Sequence, residues 1–218
     1  MSDIQTKAVN IVLLFDDSIL DITQSKIGDI RDKIIEFWGK SPIITQLPDL
    51  IGIIEPETQF SCVIQKNHKV IISDQNISTF ASRTLDNIFK FVHSYVGIIP
   101  RRIKAYGFNY NFRIDFPSNA EQLLAIQKKN KELINIKSLG LNDIAGCGIN
   151  FRFDHNSDKM LVSSVPIYND EFTEMIGLEI KANIHFPIED IPAFADLKRL
   201  FSEKHDLVVE KINIFFNI

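Results

Sequence analysis

The spacing of apolar residues along this chain changes period several times, and each change marks an element. Ala8 to Phe15 is an apolar run rich in Val, Ile and Leu, which predicts a largely buried strand. From about Asp21 the period becomes helical: Ile27, Ile30, Ile34 and Phe37 recur at three- and four-residue steps, with Trp38 beside the last. Gly39 followed by Pro42 stops that helix. Prolines at 42, 48 and 56 then divide Ser41 to Glu57 into short extended pieces with no helix. Thr58 to Gln65 and Lys69 to Asp74 read as a hairpin joined through Lys66, Asn67 and His68. A second helix follows, with Ala81, Leu85, Ile88, Phe89, Val92 and Val96 on one face, Thr79 or Ser82 as its cap and Gly97 at its end.

Ile103 to Phe116 is the most informative stretch. Tyr106, Phe108, Tyr110, Phe112, Ile114 and Phe116 are large and apolar, while Ala105, Gly107, Asn109, Asn111, Arg113 and Asp115 between them are small or polar. Strict alternation over this length predicts a strand with one face on a core and the other toward water or a ligand. A short helix is expected around Ala120 to Lys129. The alternation then returns in Ala145 to Phe153, in its hairpin partner Met160 to Ile167, and in Ile176 to Phe186. A closing helix is expected to begin near Asp190, with Pro192 in its first turn. Phe194, Leu197, Phe201, His205, Val208, Ile212 and Phe215 form its apolar stripe, which must cover a sheet or a partner.

These elements predict an α+β fold: long antiparallel strands packed against about four helices, in one domain over 1–218 or in two lobes, 1–117 and 118–218. The lobes are suggested by an echo, since Asn111-Phe112-Arg113-Ile114-Asp115 and Asn150-Phe151-Arg152-Phe153-Asp154 share one pattern.

Composition narrows the classes of function. With 218 residues and 45% hydrophobic content, the chain can bury a core without staples. Its two cysteines, Cys62 and Cys147, lie in apolar runs far apart, which predicts buried free thiols; neither has a Cys or His at zinc-ligand spacing. A formal net charge of −4, with basic residues only in short runs such as Arg101, Arg102 and Lys104, argues against nucleic acid as a partner. The start MSDIQTKAVN lacks the basic and apolar parts of an export signal, and no apolar run approaches the roughly 20 residues that cross a bilayer, so a cytoplasmic location away from membranes is expected.

No motif for catalysis, metal or cofactor emerges. Asp16-Asp17 after a strand and Pro48-Asp49-Leu50 are superficially similar to a response-regulator receiver, but the place of its phosphorylated aspartate falls near Ile53. Gly146-Cys147-Gly148 opens like a dinucleotide fingerprint, yet it runs on into an alternating strand. The five histidines form no helical metal pair, and no nucleophile elbow is present. The chemistry that remains is the polar side of the alternating strands, where Asn111, Arg113, Asn150, Arg152 and Lys181 are the candidate ligand-binding residues. Phe201, Val208, Ile212 and Phe215 of the closing helix are candidates for contacting a protein partner or a second copy.

The element order is itself similar to a known pattern. An opening strand, a helix, a central hairpin, the helix Leu85 to Val96 leading into Arg102 to Asp115, and a closing helix with Leu200, His205, Ile212 and Phe215 resemble a sporadically distributed prokaryotic family of uncharacterised proteins. The resemblance spans most of the chain and implies no activity or catalytic residue. The reading is therefore a non-enzymatic protein-interaction module, a subunit of a larger assembly such as a defence or stress system. The alternative is a small-ligand-binding or enzymatic domain using the polar sheet face.

Overall fold

The structure, a computed structural model, describes residues 4–16, 22–65, 68–75, 83–99, 101–116, 126, 128, 148–155, 158–171, 174–187 and 190–216. The strands are β1 (Ile4–Phe15), β2 (Ile43–Leu47), β3 (Leu50–Glu55), β4 (Phe60–Gln65), β5 (Lys69–Asp74), β6 (Ile103–Asp115), β7 (Ile149–His155), β8 (Asp158–Tyr168) and β9 (Met175–Phe186). The helices described are α1 (Gln24–Trp38), α2 (Arg83–Ile98) and α3 (Phe194–Phe216). Ile126 and Lys128 are helical too, and the rest of the helix expected around 120–129 lies outside the described residues, as do the caps expected at Thr79 and Ser82, residues 145–147 and Cys147.

All nine described strands join one antiparallel sheet in the order β2-β3-β4-β5-β1-β6-β9-β8-β7. Register ties Glu55, Phe60, Asp74, Val9, Tyr110, Ala182, Val162 and Phe151 into a single row across eight strands. Residues directly opposite share a face, so this row marks one side of the sheet. The helices lie on that side. Trp38 of α1 stacks on Phe60 with ring centroids 3.9 Å apart, Phe91 of α2 meets the same ring at 5.1 Å, and in α3 Phe201 sits 4.8 Å from Tyr110 while Phe215 stacks on Phe151 at 4.8 Å.

Local chemistry explains the element ends. Thr23 caps α1 by accepting from the Lys26 amide, and Gly39 closes it in the left-handed region at φ 72°, its N–H bonding the Ile35 carbonyl at 2.8 Å. The proline-rich stretch after α1 forms short extended pieces as expected, and these pair as the hairpin β2–β3: Pro42 precedes the first strand and Pro48 occupies the turn, where no ladder N–H is required. One expectation needs correction. The last helix starts at Phe194 rather than near Asp190: Pro192 stands outside it, and the first turn forms on the Ala193 carbonyl, which accepts from the Leu197 amide at 2.8 Å.

The sheet order has a mirror arrangement. In the first half β1 pairs with β5 and the strands run outward to β2; in the second β6 pairs with β9 and the strands run outward to β7. β1 and β6 meet antiparallel in the middle. The turning point of this order falls between Ile98 and Ile103, and the strands carrying the Asn-Phe-Arg echo, β6 and β7, occupy a central and an outer place.

Candidate functional site

On the other side of the sheet a second row runs through all nine strands: Ile43, Ile54, Ser61, Ser73, Asn10, Asn109, Asn183, Leu161 and Arg152. None of the described helices covers it. Its middle is hydroxyl and amide, with Asn183 donating to the Asn109 side-chain oxygen across β6 and β9. The next row contains Val63, Ile71, Val12, Gly107, His185, Lys159 and Asp154. Gly107 is required there, since a Cβ would stand 2.8 Å from the Ile184 carbonyl oxygen. Its missing side chain helps open a hollow of about 200 Å³ lined by Val12, Leu14, Lys69, Asn109, Asn183 and His185. A second hollow, of about 250 Å³, shares Asn183 and His185 and adds Arg152, Lys159 and Leu161.

Toward the opposite end of the same strands, the charges are matched. Arg113 Nε donates to Asp115 at 2.7 Å, and Lys181 lies 3.3 Å from Glu179. Of the candidate residues, Asn111, Lys181 and Asn150 do come together in one row, with Ser163 between the last two. Arg113 and Arg152 do not. Three strand steps of about 4.8 Å, roughly 14 Å, separate β6 from β7, and the hollow at Arg152 does not include Arg113.

The candidate interaction stripe on α3 is taken up within the chain. Phe201 and Val208 are fully buried, Ile212 nearly so, and Phe215 stacks on Phe151. The sheet, rather than a partner, receives this stripe, because burying it against β6 and β7 removes several aromatic side chains from water at once. The sequence reading also passed over Asn10, Ser73, Lys69 and Lys159. Asn10 had a signal, being the polar residue inside the apolar run of β1, whereas Lys69 and Lys159 stand at or next to strand starts, where lysine is commonplace.

Beneath the sheet, polar groups serve the core. The Tyr110 hydroxyl donates to the Phe201 carbonyl at 2.7 Å. His205 is buried between α3 and β1. Asp206 lies 3.1 Å from Nδ1 and accepts a hydrogen bond from its N–H, which leaves Nε2 to accept from the Thr6 hydroxyl at 2.9 Å. Burial outweighs the pull of Asp206 and lowers His205 below the ordinary histidine value. Cys62 is a buried free thiol, its ionisation pushed up by burial. A cavity of about 440 Å³ among His93, Arg101, Arg102 and Asp190 lies at the end of α2, and Arg102 there faces Asp16 at 3.7 Å. Among the described residues no group of three or more His, Cys, Asp and Glu side chains is placed to hold a metal, and no helix is long and apolar enough to cross a membrane.

No protein-family model matches the sequence, and no curated protein matches it. Among solved structures, a chain described as Methanococcus jannaschii TBP aligns over 95% of this chain and 99% of its own length, at 11% identity and a TM-score of 0.32. At that score the likeness carries no argument about fold or function.

Proposed function

We propose that this chain is a non-enzymatic protein-interaction module, a subunit of a larger assembly, which receives a protein partner or a second copy on the uncovered sheet face. One observation carries the reading: a continuous, in-register row crosses nine strands on the side away from the described helices. Two rows of this face cross all nine strands and the rows beside them cross six and five, so at about 4.8 Å per strand and 6.6 Å per row these four cover roughly 900 Å². A standard protein interface takes about 800 Å² from each partner. The face also mixes aliphatic, amide and charged groups, as interface surfaces do. The similarity of the element order to a sporadically distributed prokaryotic family suits an accessory role, such as defence or stress.

A second reading, a small-ligand-binding or enzymatic domain, draws on the two adjoining hollows at Asn183 and His185. Co-purification separates the two. The native protein, isolated from its source cells at low salt, is expected to elute with a protein in defined stoichiometry, and Asn183→Arg on the open face should release that protein. Arg199→Ala on the solvent side of α3 should leave the complex intact. A lone protomer carrying a stoichiometric small molecule would overturn the interaction reading in favour of the second.

A further inference from the structure

We infer that the uncovered face holds an extended acidic protein segment, laid from Lys69 on β5 across the sheet to Arg152 on β7. The inference rests on the interaction reading above and supplies the chemistry of its partner. The two hollows along this path share Asn183 and His185 and therefore adjoin. Among the described residues three cations line them, Lys69, Lys159 and Arg152, and no carboxylate does. Asp154 stands opposite Lys159 in register, yet no ion pair joins them, and none of the three cations has an acidic partner among the described residues. Farther along the same strands Arg113 and Lys181 each have one. In a protein of net charge −4, unmatched cations gathered on one path leave a local excess that an anion would complete.

The spacing decides the kind of anion. Five strand steps from β5 to β7 amount to about 24 Å, so a compact anion such as phosphate cannot reach both ends, whereas about seven residues of extended chain can. The amides point to a polypeptide. Once Asn183 has donated to Asn109, the pair still offers amide N–H donors on both residues and the Asn183 carbonyl oxygen as acceptor, which together can meet the C=O and N–H of a peptide group. Val12, Leu14 and the half-exposed Leu161 provide apolar contact between the charges. A nucleic acid strand would want large aromatic rings for stacking, and among the described residues the Phe, Tyr or Trp ring that reaches these hollows, Tyr106, is 2% exposed and stacked on Phe186.

The test is fluorescence anisotropy on the full chain with three labelled probes: a ten-residue peptide of alternating Glu and Val, the same peptide with Gln for Glu, and a single-stranded oligonucleotide of matching length. The Glu peptide should bind, and the triple variant Lys69→Gln, Lys159→Gln, Arg152→Gln should bind it about tenfold or more weakly, while Lys181→Gln, which removes a cation already paired, stays within about twofold. The Gln peptide should bind the wild type as weakly as the Glu peptide binds the triple variant. All these positions but the half-buried Lys69 are exposed, and circular dichroism of each variant verifies the fold. Equal binding of the Glu peptide to wild type and triple variant overturns the inference, as does displacement by millimolar inorganic phosphate at constant ionic strength. Variant-sensitive binding of the oligonucleotide in preference to the peptide overturns it in favour of nucleic acid. If the triple variant retains the co-purified partner that Asn183→Arg loses, the acidic segment is refuted while the interaction reading stands.

Discussion

The two halves of the sheet share a strand plan and differ in what they show to solvent. On the open face the first half carries Ile43, Leu47, Leu50, Ile54, Val63 and Ile71, with serines among them, while the second carries Asn109, Asn111, Lys181, Asn183, His185, Lys159 and Arg152. On the covered face the halves are alike, both aromatic and aliphatic: Phe60, Ile53 and Ile72 in one, Phe108, Tyr110 and Ile180 in the other. The covered side has to satisfy packing and accepts only bulk that fits. The open side is free of that demand, so the difference between the halves is where selection for binding can act.

The sharpest way to break this contrast is to exchange demands between the faces. Phe201→Ala, at the junction of α3 with Phe89, Phe108 and Tyr110, should lower unfolding free energy by about 3–5 kcal/mol in urea denaturation. Leu161→Ala on the open face, where the side chain is already 48% exposed, should cost less than about 1 kcal/mol in the same measurement. Equal losses would mean that the open side is packed too.

A second pair compares the halves directly. Gly52 and Gly107 lie in the same cross-sheet row, one in each half. A Cβ on Gly52 finds its nearest neighbour, Leu50 Cδ2, at an ordinary 3.7 Å, whereas on Gly107 it meets a backbone oxygen at 2.8 Å. Gly107→Ala should therefore destabilise by about 1–3 kcal/mol and Gly52→Ala by less than about 0.5 kcal/mol, read from thermal or urea midpoints.

The covered face should also respond to acid through His205. Its folded value lies below its unfolded one, so the unfolded chain binds more protons as pH falls. The stability that the neutral ring contributes is fully present above about pH 6.5, the ordinary histidine value, and declines below it. Urea midpoints between pH 8 and pH 5 should fall accordingly, and His205→Gln should flatten part of that slope. The smallest effect belongs to the neutralised end of the open face. Arg113→Gln, which removes an exposed pair with Asp115, should shift stability by less than about 0.5 kcal/mol.

Much of the covered face was legible from periodicity alone. The alternation of Tyr106 to Phe116 and the stripe Leu197, Phe201, His205, Val208 and Ile212 each name the side chains that the structure buries. A hydrophobic period is local, and burial enforces it. The short extended pieces of β2 and β3 were legible from the prolines that bound them, but their pairing into a hairpin was not. The open-face row was less legible for a different reason. Asn10 meets Asn109 only because the first strand pairs with the sixth, and Lys69 and Lys159 approach one hollow only through that strand order. Neither relation leaves a mark within any window of neighbouring residues. Asn111, Lys181 and Asn150 were recognisable as one surface because their own strands alternate, and the partner of Arg113, Asp115, stands only two residues along the same strand.

The central place of β1 bears on how the molecule is made. A ribosome delivers β1 first, and β5 can cover one of its edges early, but the other edge waits for β6, which follows α2. Until then a twelve-residue strand, apolar over much of its length, presents an open ladder in the middle of the future sheet. A nascent chain halted after α2 carries its most adhesive edge at the place where the finished protein has no edge, and this interval of synthesis is where chaperone protection matters most.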